Sequence, residues 1–128
     1  HIINEIITSI KKWVMKTMEL FEKIKKDFQE RLKDLASVAI YEATENTDFI
    51  IIYNIADERI YCTKQPQNFV IFDDIEICRF TGDEVSNWVI DECANLPDWG
   101  LVYIALENKW DDELVKGRIT TYENTHWN

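Results

Sequence analysis

The sequence predicts an α+β fold in which a long N-terminal helix packs on a mainly antiparallel sheet of about five to seven strands. The first observation is a stripe of apolar residues over the first 36 positions, which recur at alternating steps of four and three, the period of one helix face. The second is a series of short runs rich in Ile, Val, Phe and Tyr, separated by polar turns. With 128 residues the chain forms a single domain, a helix in 1–36 and a sheet-plus-helix body in 37–128.

The N-terminal helix is predicted to run from Ile2 to about Ala36, with no Gly or Pro to interrupt it. About 33 residues at ~1.5 Å each make a rod of roughly 50 Å, whereas the remainder of the chain folds to a body about 25–30 Å across. Because the rod is longer than the body, we predict a homo-oligomer in which a second copy covers part of the apolar stripe. The stripe residues predicted to lie in this interface are Ile3, Ile7, Ile10, Val14 and Phe21.

The strands of the body are predicted from β-branched and aromatic runs between turns. In chain order they are Val38–Ala43, Phe49–Ala56, Arg59–Lys64, Phe69–Phe72, Ile75–Phe80, Leu101–Leu106 and Arg118–Tyr122. Within this set, Phe49–Tyr53 and Leu101–Leu106 show no alternation of apolar and polar residues. Because a strand with one wet face alternates, we predict that these two are neighbouring central strands, buried on both faces.

A second, shorter helix is predicted over about residues 82–95. Its start, Thr81-Gly82-Asp83-Glu84, fits a capping box, in which the Thr81 hydroxyl accepts from the N–H of Glu84 while the Glu84 carboxylate accepts from the N–H of Thr81. A further short helix is predicted over Asp111–Lys116, ending at Gly117.

Charge divides the chain into two unequal parts. The first 36 residues carry 8 Lys and Arg against 6 Asp and Glu, a net charge of +2, whereas the remaining 92 carry 6 against 18, a net charge of −12. The acids of the body cluster at predicted turns, where they either keep the protein solvated or form an electrostatic binding face for a basic protein. Tryptophans beside acids are predicted contacts because aromatic residues are enriched at binding hot spots. The predicted partner-binding residues are Asp57, Glu58, Asp73, Asp74, Trp99, Trp110, Asp111, Asp112 and Glu113.

Most of these residues also have a purely structural interpretation. Asp111 and the two acids after it can cap the N-terminus of a helix. Asp73-Asp74 can form a turn, and Trp99 and Trp110 can cover the edges of the core.

No intact catalytic motif is present, so we predict no enzyme activity, no cofactor and no metal site. One stretch matches the PD-(D/E)xK motif of metal-dependent nucleases in residue types and spacing, namely Pro97-Asp98 followed by Glu107-Asn108-Lys109. Its two carboxylates flank one predicted strand, which at ~3.3 Å per residue separates them by roughly 30 Å. At that distance they cannot share the metal ion that such a site needs.

Cysteine usage and hydropathy indicate a cytoplasmic setting. Cys62, Cys78 and Cys93 are odd in number and widely spaced, which favours free structural thiols. No signal peptide is recognised, and no apolar run approaches the ~20 residues of a membrane span. Direct nucleic-acid binding is disfavoured because phosphate contacts need clustered Lys and Arg. Only the N-terminal helix has such clusters, and the acids interleaved with them also weaken binding to an anionic membrane.

The leading hypothesis is therefore a non-enzymatic, stoichiometric binding protein, an acidic inhibitor of a cationic or nucleic-acid-binding protein. In general character the small, acidic, aromatic-rich chain resembles toxin-immunity proteins, antitoxins and phage anti-defence inhibitors, a resemblance of type rather than of motif. Two alternatives stay open. One is a homo-oligomeric accessory or regulatory subunit that dimerises through the long helix. The other is a small-molecule-binding domain or an enzyme with an unrecognised carboxylate site, which a buried polar pocket with a raised carboxylate pKa would favour.

Overall fold

A computed structural model of the chain describes residues 2–65, 71, 73–91 and 95–126, and for residues 9–15 it describes the backbone alone. The described residues confirm an α+β fold with a long N-terminal helix and an antiparallel sheet, but this sheet has three strands rather than five to seven. The elements in chain order are α1 (Ile2–Glu42), β1 (Asp48–Asn54), β2 (Arg59–Lys64), β3 (Asp74–Thr81), α2 (Gly82–Val89), α3 (Asp98–Lys109) and α4 (Asp112–His126).

Helix α1 is longer than the sequence predicts. Its 41 residues at ~1.5 Å each make a rod of about 60 Å, and the predicted strand Val38–Ala43 is wrong because the helix continues to Glu42. The reason lies in the buried positions Leu32, Leu35 and Ala39, which keep the helical spacing of three and four residues beyond the predicted end.

The central strand of the sheet is β1, with β2 on one side and β3 on the other. The predicted β1–β2 hairpin is confirmed, with Asn54 opposite Arg59 across the turn. On the other side β1 runs antiparallel to β3, where Asn54 lies opposite Asp74, and a bulge interrupts the register between Ile51 and Ile52. The turn between β1 and β2 therefore lies at the same end of the sheet as the start of β3.

Burial along β1 agrees with the prediction of a strand covered on both faces. Phe49, Ile50, Ile51 and Tyr53 are all buried, although successive side chains of a strand point to opposite faces. Phe49, Ile51 and Tyr53 belong to the main core. Ile50 is therefore buried on the opposite face of the sheet.

The predicted strand Leu101–Leu106 is wrong, because these residues form the middle of α3. Leu101, Val102 and Leu106 are buried whereas Ile104 is 45% exposed, which is the burial pattern of a helix face. An apolar run of this length is compatible with either a strand or a buried helix. The predicted pairing with Phe49–Tyr53 is wrong for the same reason.

The predicted strand Arg118–Tyr122 is also wrong and lies in α4. Val115 and Ile119, four residues apart, are buried on one face of this helix. The short helix predicted over 111–116 is thus the start of a 15-residue helix that passes through Gly117. The remaining predicted strand, Phe69–Phe72, lies outside the described residues except for Ile71, which belongs to no strand.

The capping box at the start of α2 is confirmed. The Thr81 hydroxyl accepts from the Glu84 N–H at 3.2 Å and the Glu84 carboxylate accepts from the Thr81 N–H at 2.8 Å. Helix α2 ends at Val89, before the predicted end at about residue 95. Gly82 donates its N–H to the carbonyl of Thr47 at 2.7 Å, so the start of this helix lies against the turn that follows α1.

One continuous core holds these elements together. It is formed by one face of the sheet and by residues of all four described helices. Its fully buried side chains include Ile24, Phe28 and Leu32 of α1, Ile51 of β1, Ile77 of β3, Leu106 of α3 and Ile119 of α4.

Two glycines provide a matched test of this packing. A Cβ added at Gly82 would lie 2.1 Å from the carbonyl oxygen of Thr44, whereas one added at Gly117, in the middle of α4, would meet nothing within 4 Å. We expect Gly82→Ala to lower the free energy of unfolding by about 1–3 kcal/mol and Gly117→Ala to raise it by roughly 0.5–1 kcal/mol. Urea unfolding at fixed pH measures both, and equal signs for the two variants would contradict the packing described.

Candidate functional site

Two of the predicted acidic doublets come together at one end of the sheet. Asp57-Glu58 lies in the turn between β1 and β2, and Asp73-Asp74 lies at the start of β3. These positions are neighbours because Asn54, the last residue of β1, is opposite the first residues of both β2 and β3. These four residues form the acidic end of the sheet.

The carboxylates of the acidic end are close enough to influence one another. The pKa of Asp74 is raised, first because the side chain is partly buried and then because the negative charges of Asp73 and Asp57 lie nearby. The pKa of Tyr122 on α4 is raised in the same way, by burial and then by Asp73 and Asp74. A positive charge brought to this end would reduce the repulsion between these groups.

Basic side chains of the chain compensate only part of this charge. Among the described residues, Lys23 of α1 pairs with Glu58 at 3.0 Å, and this hydrogen bond and charge raise the pKa of Lys23. His126 of α4 lies 3.5 Å from Asp73, a pair that is ionic only when the imidazole is protonated. Lys23 and, when protonated, His126 thus lie against the acidic end, and Arg59 follows Glu58 directly in the chain.

A groove of about 210 Å³ adjoins the acidic end between α1, the β1–β2 turn and α4. Its apolar lining is formed by Leu20, Tyr53, Ile55 and Tyr122, and its charged lining by Lys16, Glu19, Lys23 and Glu58. This volume is below the ~300–1,000 Å³ typical of small-molecule pockets. The groove is therefore suited to one or a few side chains of another protein.

The third acidic cluster, Asp111-Asp112-Glu113, lies at the other end of α4 and has structural roles. The Asp111 carboxylate accepts from the N–H groups of Glu113 and Leu114 at 3.0 and 3.2 Å, so it caps the helix. Asp112 accepts from the indole of Trp110 and pairs with Lys25 at 3.3 Å, which together lower its pKa. Along the 15 residues of α4 this cluster is about 20 Å from the acidic end.

The two predicted contact tryptophans have different environments. Trp110 packs against Phe28 and Phe21, with ring centroids 5.0 and 5.9 Å apart, and so belongs to the edge of the core. Trp99 is 41% exposed, and the Lys33 ammonium lies 4.6 Å from its ring centroid. Because Lys33 follows Lys23 by ten residues, about 15 Å along α1, Trp99 is not part of the acidic end.

The residues of the predicted interface stripe on α1 also differ in exposure. Ile3 and Ile7 are exposed, whereas Phe21 is buried in the core of its own chain. Ile10 and Val14 lie within α1, and their side chains are outside the described residues.

Helix α4 contributes polar groups that sequence reasoning missed. Glu123 is only 1% exposed; its Oε2 accepts from the Thr17 hydroxyl at 2.7 Å, and no described residue bonds to its Oε1. Glu123 lies four residues after Ile119, on the same buried face as Val115. The helical period would have placed it there had α4 been predicted as a helix rather than a strand.

The two carboxylates of the nuclease-like sequence are kept apart for a reason different from the one predicted. Asp98 and Glu107 both lie in α3, where nine residues separate them by about 14 Å along the axis and by about half a turn around it. They therefore lie on opposite sides of the helix and not, as predicted, 30 Å apart. Within residues 2–65, 71, 73–91 and 95–126, no three His, Cys, Asp or Glu side chains are placed to hold a metal ion.

The thiols of Cys62 and Cys78 are free. Burial raises the pKa of each to about 12, so both are protonated and weakly nucleophilic at neutral pH. Cys93 lies outside the described residues.

Comparison with known proteins gives no relative from which a function could be transferred. The chain matches no protein-family model, and neither the curated proteins nor the solved structures contain a significant match to it. In the part of the chain that the structure describes, no helix is both long and apolar enough to cross a membrane.

Proposed function

We propose that this chain is a non-enzymatic binding protein that holds a basic segment of another protein at its acidic end, acting as an inhibitor of the immunity, antitoxin or anti-defence type. The observation that carries the proposal is the convergence of Asp57-Glu58 and Asp73-Asp74, from two separate loops, at one end of the sheet. Burial raises the pKa of Asp74 first, the negative charges of Asp73 and Asp57 raise it further, and a cationic ligand would relieve that repulsion.

The acidic end is held in place before any partner arrives. The N–H of Asp57 donates to the side chain of Asn54 at 2.8 Å, and the Asp57 carboxylate accepts from the Tyr61 hydroxyl at 3.1 Å. Asp74 is fixed by its place in β3. Because Asp57 and Asp74 are already held in this way, a partner would lose little of its binding free energy to fixing these two side chains.

Arginine is the cation that this surface fits best. A guanidinium pairs with a carboxylate through two parallel hydrogen bonds and stacks on aromatic rings. Tyr122 lines the adjoining groove and is only half-buried, so its ring offers aromatic surface beside these carboxylates. An arginine-rich segment can therefore bind carboxylates and aromatic surface together.

The proposal is tested with a fluorescent arginine-rich peptide, whose binding is followed by anisotropy at low and at physiological salt. We expect Asp57→Asn/Asp73→Asn/Asp74→Asn to weaken binding by about 3- to 150-fold, since each exposed charge pair contributes about 0.2–1 kcal/mol and the three together roughly 0.6–3 kcal/mol. Affinity for the wild-type chain should fall as salt rises, because the Debye length shortens to about 8 Å at 0.15 M.

A control variant removes the same amount of charge elsewhere. Glu45→Gln/Asp83→Asn/Glu107→Gln also raises the net charge by three, but the exposed Glu45 and Asp83 lie near the opposite end of the sheet. We expect this variant to bind within about twofold of the wild type. Equal losses for the two triple variants would show that the peptide responds to net charge alone, and the proposal would then be wrong.

A further inference from the structure

A second groove, of about 450 Å³, lies between α2 and α3. The two helices pack against each other, and most of the surface that lines the groove is apolar. Ile104 is 45% exposed and Trp88 is partly exposed, so this apolar surface is in contact with solvent. The lining residues are Trp88, Asp91, Leu101, Ile104, Ala105, Asn108 and Lys109.

The α2–α3 groove is held in place by the fold and is separate from the acidic end. Trp88 packs against Phe80 of β3, with ring centroids 5.6 Å apart, and Leu101 is buried at the base of the groove. Strand β3 leads from Asp74, in the acidic end, to Thr81, directly before α2. These seven steps of about 3.3 Å separate the two surfaces by roughly 23 Å.

The shape of the groove fits a third helix. Leu101, Ala105 and Asn108 recur at steps of four and three, so they form one row along α3, about 10 Å long. A channel between two packed helices accepts the side-chain ridge of another helix, and an amphipathic helix fills such a channel with its apolar face. A small-molecule site needs polar groups that converge on the ligand, whereas Lys109 of this lining pairs with Glu84 at 3.0 Å.

The charge around the groove is negative. Asp98 precedes Leu101 by three residues and Glu107 follows Ile104 by three, so each acid shares a side of α3 with a lining residue. Asp91 lines the groove itself. From the start of α2 to the end of α3 the chain carries six Asp and Glu against one Lys. An apolar channel with this border is complementary to an apolar helix face that is flanked by Lys or Arg.

We propose that the α2–α3 groove binds a basic amphipathic helix of a partner protein. Its apolar side chains lie against Trp88, Leu101 and Ile104, and its Lys or Arg side chains lie beside Asp98 and Glu107. About two turns of such a helix match the length of the row on α3. This binding does not depend on the acidic end, which has no comparable apolar row.

A designed helical peptide tests the proposal, with binding followed by fluorescence anisotropy. The peptide carries leucines on one face, spaced by three and four residues, and lysines on the other. A scrambled peptide of the same composition and charge has no apolar face. We expect the amphipathic peptide to bind about fivefold more tightly or better, since only it can place apolar anchors in the groove. Equal affinities would show a response to charge alone and would overturn the proposal.

The variant Ile104→Ala tests the position of the bound helix. We expect it to weaken binding of the amphipathic peptide by about 5- to 30-fold, which corresponds to about 1–2 kcal/mol for an interface anchor. Leu114→Ala is the matched control, because both side chains are 45% exposed and Leu114 does not line the groove. The control should bind within about twofold of the wild type. Unchanged binding by Ile104→Ala, or an equal loss in both variants, would contradict this placement.

The variant Asp57→Asn/Asp73→Asn/Asp74→Asn separates this proposal from the one for the acidic end. It should bind the amphipathic peptide within about threefold of the wild type, because the acidic end contributes only long-range attraction to it. A loss as large as that of Ile104→Ala would place this peptide at the acidic end and overturn the proposal. The dye anilinonaphthalene sulfonate tests for a small ligand instead. Dye binding that Ile104→Ala abolishes, without binding of the amphipathic peptide, would assign the groove to small apolar molecules and overturn the proposal as well.

Discussion

Replacing Ile51 with alanine is expected to lower the free energy of unfolding by about 2–5 kcal/mol, the range for emptying a fully buried aliphatic position. Ile51 is completely buried in the central strand of the sheet, opposite Cys62 of β2 and Cys78 of β3. Neither neighbouring strand can move in to fill the space without breaking its backbone hydrogen bonds to β1. Much of the stability of a domain of this size therefore depends on this one side chain.

Ile104→Ala is the control, and its expected effect is within about 0.5 kcal/mol. The two isoleucines occupy runs that look alike in the sequence, but Ile104 is on the exposed side of α3. Urea unfolding followed by tryptophan fluorescence, at one protein concentration for all variants, measures both changes. A large loss at Ile104 together with a small loss at Ile51 would mean that the assignment of strand and helix is reversed.

The second large effect is expected in alkali, where stability should fall steeply above pH 9. The thiols of Cys62 and Cys78 ionise near 9.0 when unfolded, but burial raises their pKa to about 12 in the folded chain. Between these values the unfolded state loses protons that the folded state keeps, so each pH unit removes up to about 1.4 kcal/mol of stability per thiol. The stability that the two protonated thiols contribute is fully present below pH 9 and is lost as the pH rises toward 12.

The Cys78→Ala variant isolates the thiol contribution, because Cys78 is the more buried of the two. Its unfolding free energy should be lower than that of the wild type at pH 8, but should decline less between pH 8 and pH 10. Tyr53 and Tyr122 also have raised pKa values, so steeper loss above pH 10 is expected in both proteins. If the unfolding free energies of the variant and the wild type decline in parallel with pH, the fold does not raise the pKa of the Cys78 thiol.

The elements that the sequence predicts correctly are those with a local signal of their own. The capping box depends on Thr81 and Glu84 alone, and α1 shows its period over many turns. By contrast, LVYIAL and RITTY carry β-branched and aromatic residues in runs too short to show a helical period, and tertiary packing decides that they are helical. In α3 and α4 the helical period is seen only among the buried residues. Which residues are buried depends on the elements that pack against these helices.

The same distinction applies to the candidate site. Asp57-Glu58 and Asp73-Asp74 were recognisable as turn acids, but their meeting at one end of the sheet depends on the order β2-β1-β3. Asp111 was predicted with two interpretations, and hydrogen bonds to Glu113 and Leu114 support helix capping. The position of Tyr122 beside the acidic end required a helix that the sequence did not predict.

The most direct measurement of the central claim is a map of amide chemical shifts during titration of isotope-labelled protein with the arginine-rich peptide. Binding at the acidic end predicts that the amides of Asp57, Glu58, Asp73 and Asp74, with Tyr122 of α4, shift together and reach saturation at one peptide per chain. Shifts centred on Glu45 and Asp83 at the opposite end of the sheet, or small unsaturated shifts spread over all acidic residues, would contradict the account.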